Sequence, residues 1–505
     1  MRNKLQKTPL LLVALVCLMG LLTLTGCLKQ SNVASMVPKD ASVVCSIDMN
    51  SIWTKGNLDN INNIAFIRYF RQELRDEDPD AAAILNEILD DPNSCGIKLK
   101  DEIVLFSSES LHSEICVGFL VNNADRFEEF IRHLNRTLDA DLEIREEEDF
   151  SFASSYDNSL AFCWNSKKAY ILVADRVNTA KSDARDLMSL TDKNSMASNS
   201  DFNQLMNNRR DIKLFVNSQN LADMMAERRR LSYREEEMLD NLKDAAACLS
   251  LNFEQGAIKL ELNARGIETE GNLITDDFNS QLTRYLPQES YANAAFAVNV
   301  DQLIQTLEGI DDIDLDEDFE GISIRRLIKC FTGSFAACVS DVTVNRRNKP
   351  RASFTVVAGI NNARTIQRAL DDIFEDEGSS SRGEYTYDLY DGYYAKFNDD
   401  VLMISNDRDV LDDFSDGGSG RELARNRKNG YAYANLNIDD YPSSLRRAIG
   451  RNLADLLSGY LKDAELHRTG DFQWELTIGL QNTEKNSLEF TLQHLDDNMT
   501  LLERL

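Results

Sequence analysis

Two hydrophobic rhythms alternate along the chain. Short runs with apolar residues at every second position, as in Leu249, Leu251 and Phe253, predict half-buried strands, and the continuous apolar run Ile103-Val104-Leu105-Phe106 is strand-like as well. Apolar residues at helical spacing follow several of them, as with Phe127, Phe130, Ile131 and Leu134. Asp or Asn stands at the junctions, where its side-chain oxygen can satisfy the free N–H groups of a first helical turn.

The order of elements occurs twice. Val37-Pro38-Lys39-Asp40-Ala41 leads to Ile47-Asp48-Met49-Asn50, and Leu286-Pro287-Gln288-Glu289-Ser290 leads to Val298-Asn299-Val300-Asp301. Ile115 to Val121, then Asn122-Asn123-Ala124, corresponds to Phe354 to Ile360, then Asn361-Asn362-Ala363. The helix positions Ile366, Ala369, Leu370 and Ile373 answer those after Asn123. Later matches are Tyr170 to Val173 with Leu402 to Ser405, and Leu214 to Asn217 with Ala432 to Asn435. Long helical stretches are expected near Glu227 to Lys243 and Ser443 to Leu461. A closing hairpin is expected in each copy, the second running from Trp474, Leu476 and Ile478 back through Leu488, Phe490 and Leu492. Strand-turn-strand sections imply antiparallel pairing. The expectation is an α+β protein of two tandem repeats, 37–275 and 286–505, each an antiparallel sheet with helices packed on one face. The seam falls near Thr269 to Leu282, and whether the two sheets join is left open.

The amino terminus reads differently. Arg2, Lys4 and Lys7 precede an uncharged run from Pro9 to Leu24, the layout of a secretory leader. Leu24-Thr25-Gly26-Cys27 resembles the lipobox of bacterial lipoproteins, in which the cysteine thiol takes diacylglycerol and the leader (1–26) is removed. Residues 27–36 then form a tether. Each buried CH₂ adds about 0.8 kcal/mol, so two or three acyl chains on Cys27 hold a protein on a membrane. The run approaches the ~18 residues of a spanning helix, and the cysteine site at its end favours cleavage. Leu28 is not the Asp of inner-membrane retention, and no acidic cluster follows. The expected location is therefore the outer membrane, facing the periplasm.

Composition narrows the partners. The chain has 505 residues, 84 acidic against 55 basic, and a formal charge of −29. Losing the leader removes three cations more. Such a chain repels nucleic acid and anionic headgroups. The basic cluster Arg228-Arg229-Arg230 is followed by Glu235-Glu236-Glu237 and reads as a solvated helix face. Beyond Cys17 and Cys27, seven cysteines remain, mostly inside apolar runs. There a thiol behaves as a small hydrophobe, and free buried thiols are expected, with at most one or two disulfides.

The lipobox, the tether, the opening Val37 to Val44 and the strand-to-helix step Ile47-Asp48-Met49-Asn50-Ser51-Ile52 together resemble a family of Bacteroidota lipoproteins built on a domain of unknown function. The resemblance covers most of the mature chain. It implies no activity and transfers no functional residue.

Chemistry is sparse. His112, His133, His467 and His494 show no metal spacing, and neither do the cysteines. No nucleophile elbow, zinc-protease pair or phosphate-binding loop occurs. No catalytic, cofactor-binding or metal residue is assigned. Gly417-Gly418-Ser419-Gly420 and Ser379 to Gly383 read as flexible loops. Asp316-x-Asp318-x-Glu320-Gly321 superficially matches a calcium loop, but Leu327 stands where a bidentate Glu belongs. A solvated acidic connector explains it more simply. Three classes remain: a non-enzymatic binding or structural ectodomain with an envelope protein or glycan partner, a carrier of lipid or another apolar ligand, and a carboxylate-dependent hydrolase. The first is the leading expectation.

Overall fold

The computed structural model describes residues 33–502, apart from 59–64, 91–93, 100, 139–140, 157–159, 175–178, 229–243, 268–272, 309–313, 317, 320–321, 345–349, 375–377, 382 and 421–429. The chain is α+β and its long strands pair antiparallel, as expected. It divides into two compact units, one running to Glu268 and including Asn482–Glu503, the other Thr269–Gln481.

In the first unit the strands are β1 (Ala41–Asp48), β2 (Glu102–Ser108), β3 (Ser113–Leu120), β4 (Glu143–Glu146), β5 (Ser151–Ser154), β6 (Leu160–Trp164), β7 (Lys168–Ala174), β8 (Ile212–Asn217), β9 (Ala246–Glu254) and β10 (Ala257–Arg265). Their pairing gives the order β4-β5-β6-β7-β3-β2-β1-β8-β9-β10.

The second unit has β11 (Ile274–Thr275), β12 (Ala292–Val298), the two-residue β13 (Asp318–Phe319) and β14 (Ile322–Ser323), β15 (Phe331–Val344), β16 (Pro350–Ile360), β17 (Ser379–Ser381), β18 (Glu384–Asp388), β19 (Tyr394–Phe397), β20 (Val401–Ser405), β21 (Tyr431–Asn435), β22 (Leu461–Gly470) and β23 (Gln473–Leu480). Its order is β17-β18-β19-β20-β16-β15-β12-β21-β22-β23. Strand for strand, this is the order of the first sheet; β11 adds a short pairing to β12.

The expected caps form. Asp48 accepts from Ser51 N at 2.9 Å, Asn123 from Arg126 N at 3.0 Å and Asn362 from Thr365 N at 3.1 Å. Asn299 accepts from Gln302 N at 3.2 Å. Each capping oxygen contributes about 1 kcal/mol. The helix Ala124–Leu138 buries Phe127, Phe130, Ile131 and Leu134, the stripe its spacing predicts. In Ala363–Ile373 the stripe is shorter: Ile366 and Ala369 are buried, while Ile373 is exposed.

Helices on one face only is an expectation the structure corrects, because each sheet carries apolar cores on both faces. In the first unit one core joins Met49, Ile52, Ile84, Ile88, Phe127 and Ile131 to Phe119, Phe162 and Trp164. The opposite core joins Val44, Cys116, Cys163, Tyr170 and Phe215 to Ala184, Leu187 and Phe202. The reason lies in strands such as Leu160-Ala161-Phe162-Cys163-Trp164, where every residue is buried. Continuous apolar runs mark strands covered twice.

Three further expectations change. The second closing hairpin is β22 with β23, one element earlier than expected. Leu488, Phe490 and Leu492 lie in a helix, Ser487–Asp497, which Asn486 caps at Leu488 N. Leu488 and Leu492 stand four residues apart and pack on the first unit's core beside Ile47 and Phe253. The second copy drawn as 286–505 therefore gives up Asn482–Glu503 to the first unit. The stretch Ser443 to Leu461 is two helices, Ser443–Ile449 and Arg451–Leu457, broken at Gly450 with φ +105°. The other expected stretch, Glu227 to Lys243, lies outside the described residues from 229 on, including the Arg229-Arg230 and Glu235-Glu236-Glu237 clusters; the described helix there, Ser218–Arg228, precedes it.

The two supposed loops are also tied down. Ser379–Ser381 pairs with β18. In the glycine loop, Gly420 N donates to Arg284 O at 2.7 Å. A Cβ at Gly418 would lie 2.1 Å from Arg284 O at φ +81°, so only glycine fits.

Candidate functional site

The strand registers lay out a surface that no local motif announces. On the first sheet Val117, Leu105, Cys45, Leu214, Leu249 and Leu262 align in one row across six strands. Ile103, Ile47, Ile212, Leu251 and Leu260 form the row beside it. Helices cover only part of this face: Ile103 and Val117 are buried, whereas Leu249 and Leu262 expose 40% and 39% of their area. Leu214, Leu251 and Leu260 are half-buried and belong to none of the packed cores.

The second sheet repeats the arrangement with smaller side chains. Ile404, Val356, Ala337, Ala294, Ala432, Leu466 and Leu476 align across seven strands. Phe354, Val339, Ala292, Ala434, Ala464 and Ile478 make the next row. Val356 is 36% exposed, and Phe296, stacked on Phe335 at 5.8 Å, is 38% exposed. Strands lie about 4.8 Å apart, so a six-strand row runs roughly 24 Å. Exposed apolar patches of several hundred Å² mark interaction sites, and the exposed part of these rows is Leu249 and Leu262 on the first sheet and Val356 on the second.

Polar groups inside the fold are consumed by it. Asp211, 1% exposed, accepts from Lys55 Nζ at 2.8 and 2.9 Å, from Phe253 N at 2.5 Å and from Ser51 Oγ. Asp183, wholly buried, accepts from Ser113 Oγ at 2.6 Å, Ser113 N at 2.9 Å and His112 N at 3.2 Å, with His112 Nδ1 at 3.1 Å. Serine donates to the aspartate itself, so the histidine does not stand between them as a general base. Lys213 is held by Glu102 at 3.2 Å and by Met206 O at 3.1 Å.

Hydrolysis by two carboxylates needs an acid and a base set across a cleft. Burial is the main cause that raises the Asp101 carboxyl, with Asp48 adding to it and Lys98 opposing. Asp48 is occupied as a helix cap. One concavity of about 600 Å³ opens where β1 begins, lined by Lys39, Asp40, Leu111, Asp186, Leu190 and Lys193 among others.

The residues singled out in the sequence are scattered. His133 Nε2 lies 3.1 Å from Glu87, and His467 Nε2 lies 3.5 Å from Glu475. His494 is in the C-terminal helix and not at a strand end. None of the seven described cysteines is in a disulfide; six are buried and Cys45 is half-buried. Burial raises the thiols of Cys116 and Cys163, and pushes those of Cys248 and Cys338 up to about 11, which keeps them protonated and unreactive. Arg325 takes Asp316 of the acidic segment at 2.8 Å and Glu308 at the end of the helix Val300–Glu308; Glu320 and Gly321 of that segment lie outside the described residues. That pairing suits a connector and competes with calcium. Among the described residues no cluster of three metal-ligating side chains occurs. No described helix is long and apolar enough to cross a membrane. Cys27 lies outside the described residues.

The arrangement of described residues thus offers an apolar surface and no catalytic constellation. The sequence profile of the domain of unknown function DUF4836 matches residues 33–488. The chain belongs to that family. No curated protein matches it. Among solved structures, crystal form III of TP0453 is 12% identical over 74% of this chain and 92% of its own, with a TM-score of 0.20. Crystal form IV is 10% identical over 75% and 94%, with a TM-score of 0.21.

Proposed function

We propose that this DUF4836 protein is a non-enzymatic ectodomain of the cell envelope, anchored by lipid on Cys27, that binds an apolar ligand on the half-exposed faces of its sheets. The observation that carries this reading is the uninterrupted apolar rows that no described helix fully covers. Burying such area releases roughly 25 cal/mol per Å².

The ligand class follows from the surface. The rows named above contain neither a charged side chain nor an amide or hydroxyl, and they are long. One bilayer leaflet is about 15 Å deep, half of the ~30 Å hydrocarbon core, and the open part of the first row, four strands from Cys45 to Leu262, runs roughly 14 Å, room for one acyl chain. We further propose that the two units descend from one duplicated element. Their identical strand order and matching helix caps support this, and give the protein two related apolar faces. The leader and lipobox pattern supports export and a membrane-bound life, with the periplasmic face of the outer membrane as the proposed site.

Native mass spectrometry of the protein gently extracted from its own envelope tests the reading. A co-purifying lipid-sized mass supports it; a bare chain, or a fixed-stoichiometry protein partner with no lipid, contradicts it.

A further inference from the structure

The concavity of the first unit differs in chemistry from the apolar rows. We propose that the cleft where β1 begins binds the phosphoethanolamine headgroup of a membrane phospholipid. Its volume of about 600 Å³ falls within the roughly 300–1,000 Å³ usual for small-ligand sites.

The charges in the cleft come in both signs. Lys39 and Lys193 line it and are exposed, and neither ammonium has a carboxylate partner among the described residues. On a chain of charge −29, two unneutralised lysines in one cleft are a specific provision. Asp186 is exposed beside them, and Asp40 is fixed by Ser108 Oγ at 2.7 Å and Ser110 N at 3.1 Å. A ligand carrying a phosphate next to a primary ammonium satisfies both pairs; a plain anion would meet two carboxylates. A quaternary ammonium seeks aromatic faces, and none of the lining residues is aromatic. Leu111 and Leu190 supply apolar wall for the glycerol end.

Position agrees with the chemistry. One wall, Pro38 to Asp40, follows the short 3₁₀ helix Val33–Met36, whose Val33 and Met36 pack in the first unit's core, so the tether expected over 27–36 ends before Val33. Six residues extend at most about 20 Å, so a lipidated Cys27 keeps this end of the first unit near the bilayer. This orientation rests on the anchor proposed above; the charge pattern of the cleft does not.

The test uses the mature chain carrying Cys27→Ser, which has neither leader nor lipid, with vesicles of phosphatidylcholine alone or mixed with phosphatidylethanolamine or phosphatidylglycerol. Co-flotation is expected only with phosphatidylethanolamine, and soluble glycerophosphoethanolamine is expected to compete for it. Lys39→Glu and Lys193→Glu, both at exposed positions, should each weaken binding roughly fivefold or more with unchanged melting. Asp186→Lys should weaken it as well. Equal binding to all three vesicles, preference for phosphatidylglycerol, no binding, no competition, or variants that bind like the parent would each overturn the proposal. Acyl-chain binding is read separately with free fatty acid, so failure there leaves this result standing, and the reverse.

Discussion

Replacing Asp211 by alanine removes the acceptor that ties three parts of the first unit together. Lys55 and Ser51 come from the helix Met49–Gly56, Phe253 from β9, and Asp211 itself precedes β8. The variant strands the Lys55 ammonium and a backbone N–H. Removing one partner of a buried ion pair costs about 3–5 kcal/mol. Lys55 is 25% exposed and still reaches Asn252 Oδ1 at 2.6 Å, which sets the expectation near the lower end, about 3 kcal/mol. Urea unfolding followed by tryptophan emission measures it. Trp53 and Trp164 are buried in the first unit and Trp474 is in the second, so a Trp474→Phe background makes the signal report the first unit. Adding Lys55→Met should recover about 1–2 kcal/mol, because the stranded charge goes with it. A loss below about 1 kcal/mol for Asp211→Ala alone would refute the view that this buried carboxylate is structural.

Alkali should destabilise the protein. Burial raises the thiols, Cys248 and Cys338 to about 11, above the ordinary value of 9 that they regain on unfolding. Between those values the unfolded chain has released protons that the folded chain retains, so stability falls as pH rises from about 9 to about 11. Lys168, lowered by burial to about 8, acts the other way between about 8 and its ordinary 10.5, one group against several thiols. Melting temperature measured in reductant across pH 8 to 11 should fall, and a flat or rising profile contradicts the buried-thiol account. Native thiol labelling should modify Cys45 ahead of the six buried cysteines, and bound fatty acid should slow that reaction, since Cys45 lies in the apolar row of the first sheet.

Much of the fold was legible because it is written in local chemistry. Asp48, Asn123, Asn299 and Asn362 announce helix starts, and the 127-130-131-134 stripe announces a buried helix face. The two-sided covering was legible only in part: Leu160 to Trp164 is apolar at every position, a signal that outranks the alternating strands nearby. The C-terminal error came from reading Leu488, Phe490 and Leu492 at a period of two, when Asn486 and the spacing of Leu488 and Leu492 mark a helix. The open faces were the least legible feature. Their rows join residues up to 217 positions apart, as Cys45 and Leu262, and exist only once five registers are fixed. No motif search finds a surface of that kind, and its residues look like ordinary core.

The central claim is tested most directly by titrating the unlipidated mature chain with a fluorescent fatty acid. Saturable binding is predicted. Leu249→Glu and Leu262→Glu on the first sheet and Val356→Glu on the second should abolish it in combination, and circular dichroism checks that the fold survives, because Leu249 and Leu262 are cross-strand partners and two like charges there cost roughly 0.2–1 kcal/mol. No binding, or binding that survives the three charges, would contradict an apolar ligand on these faces.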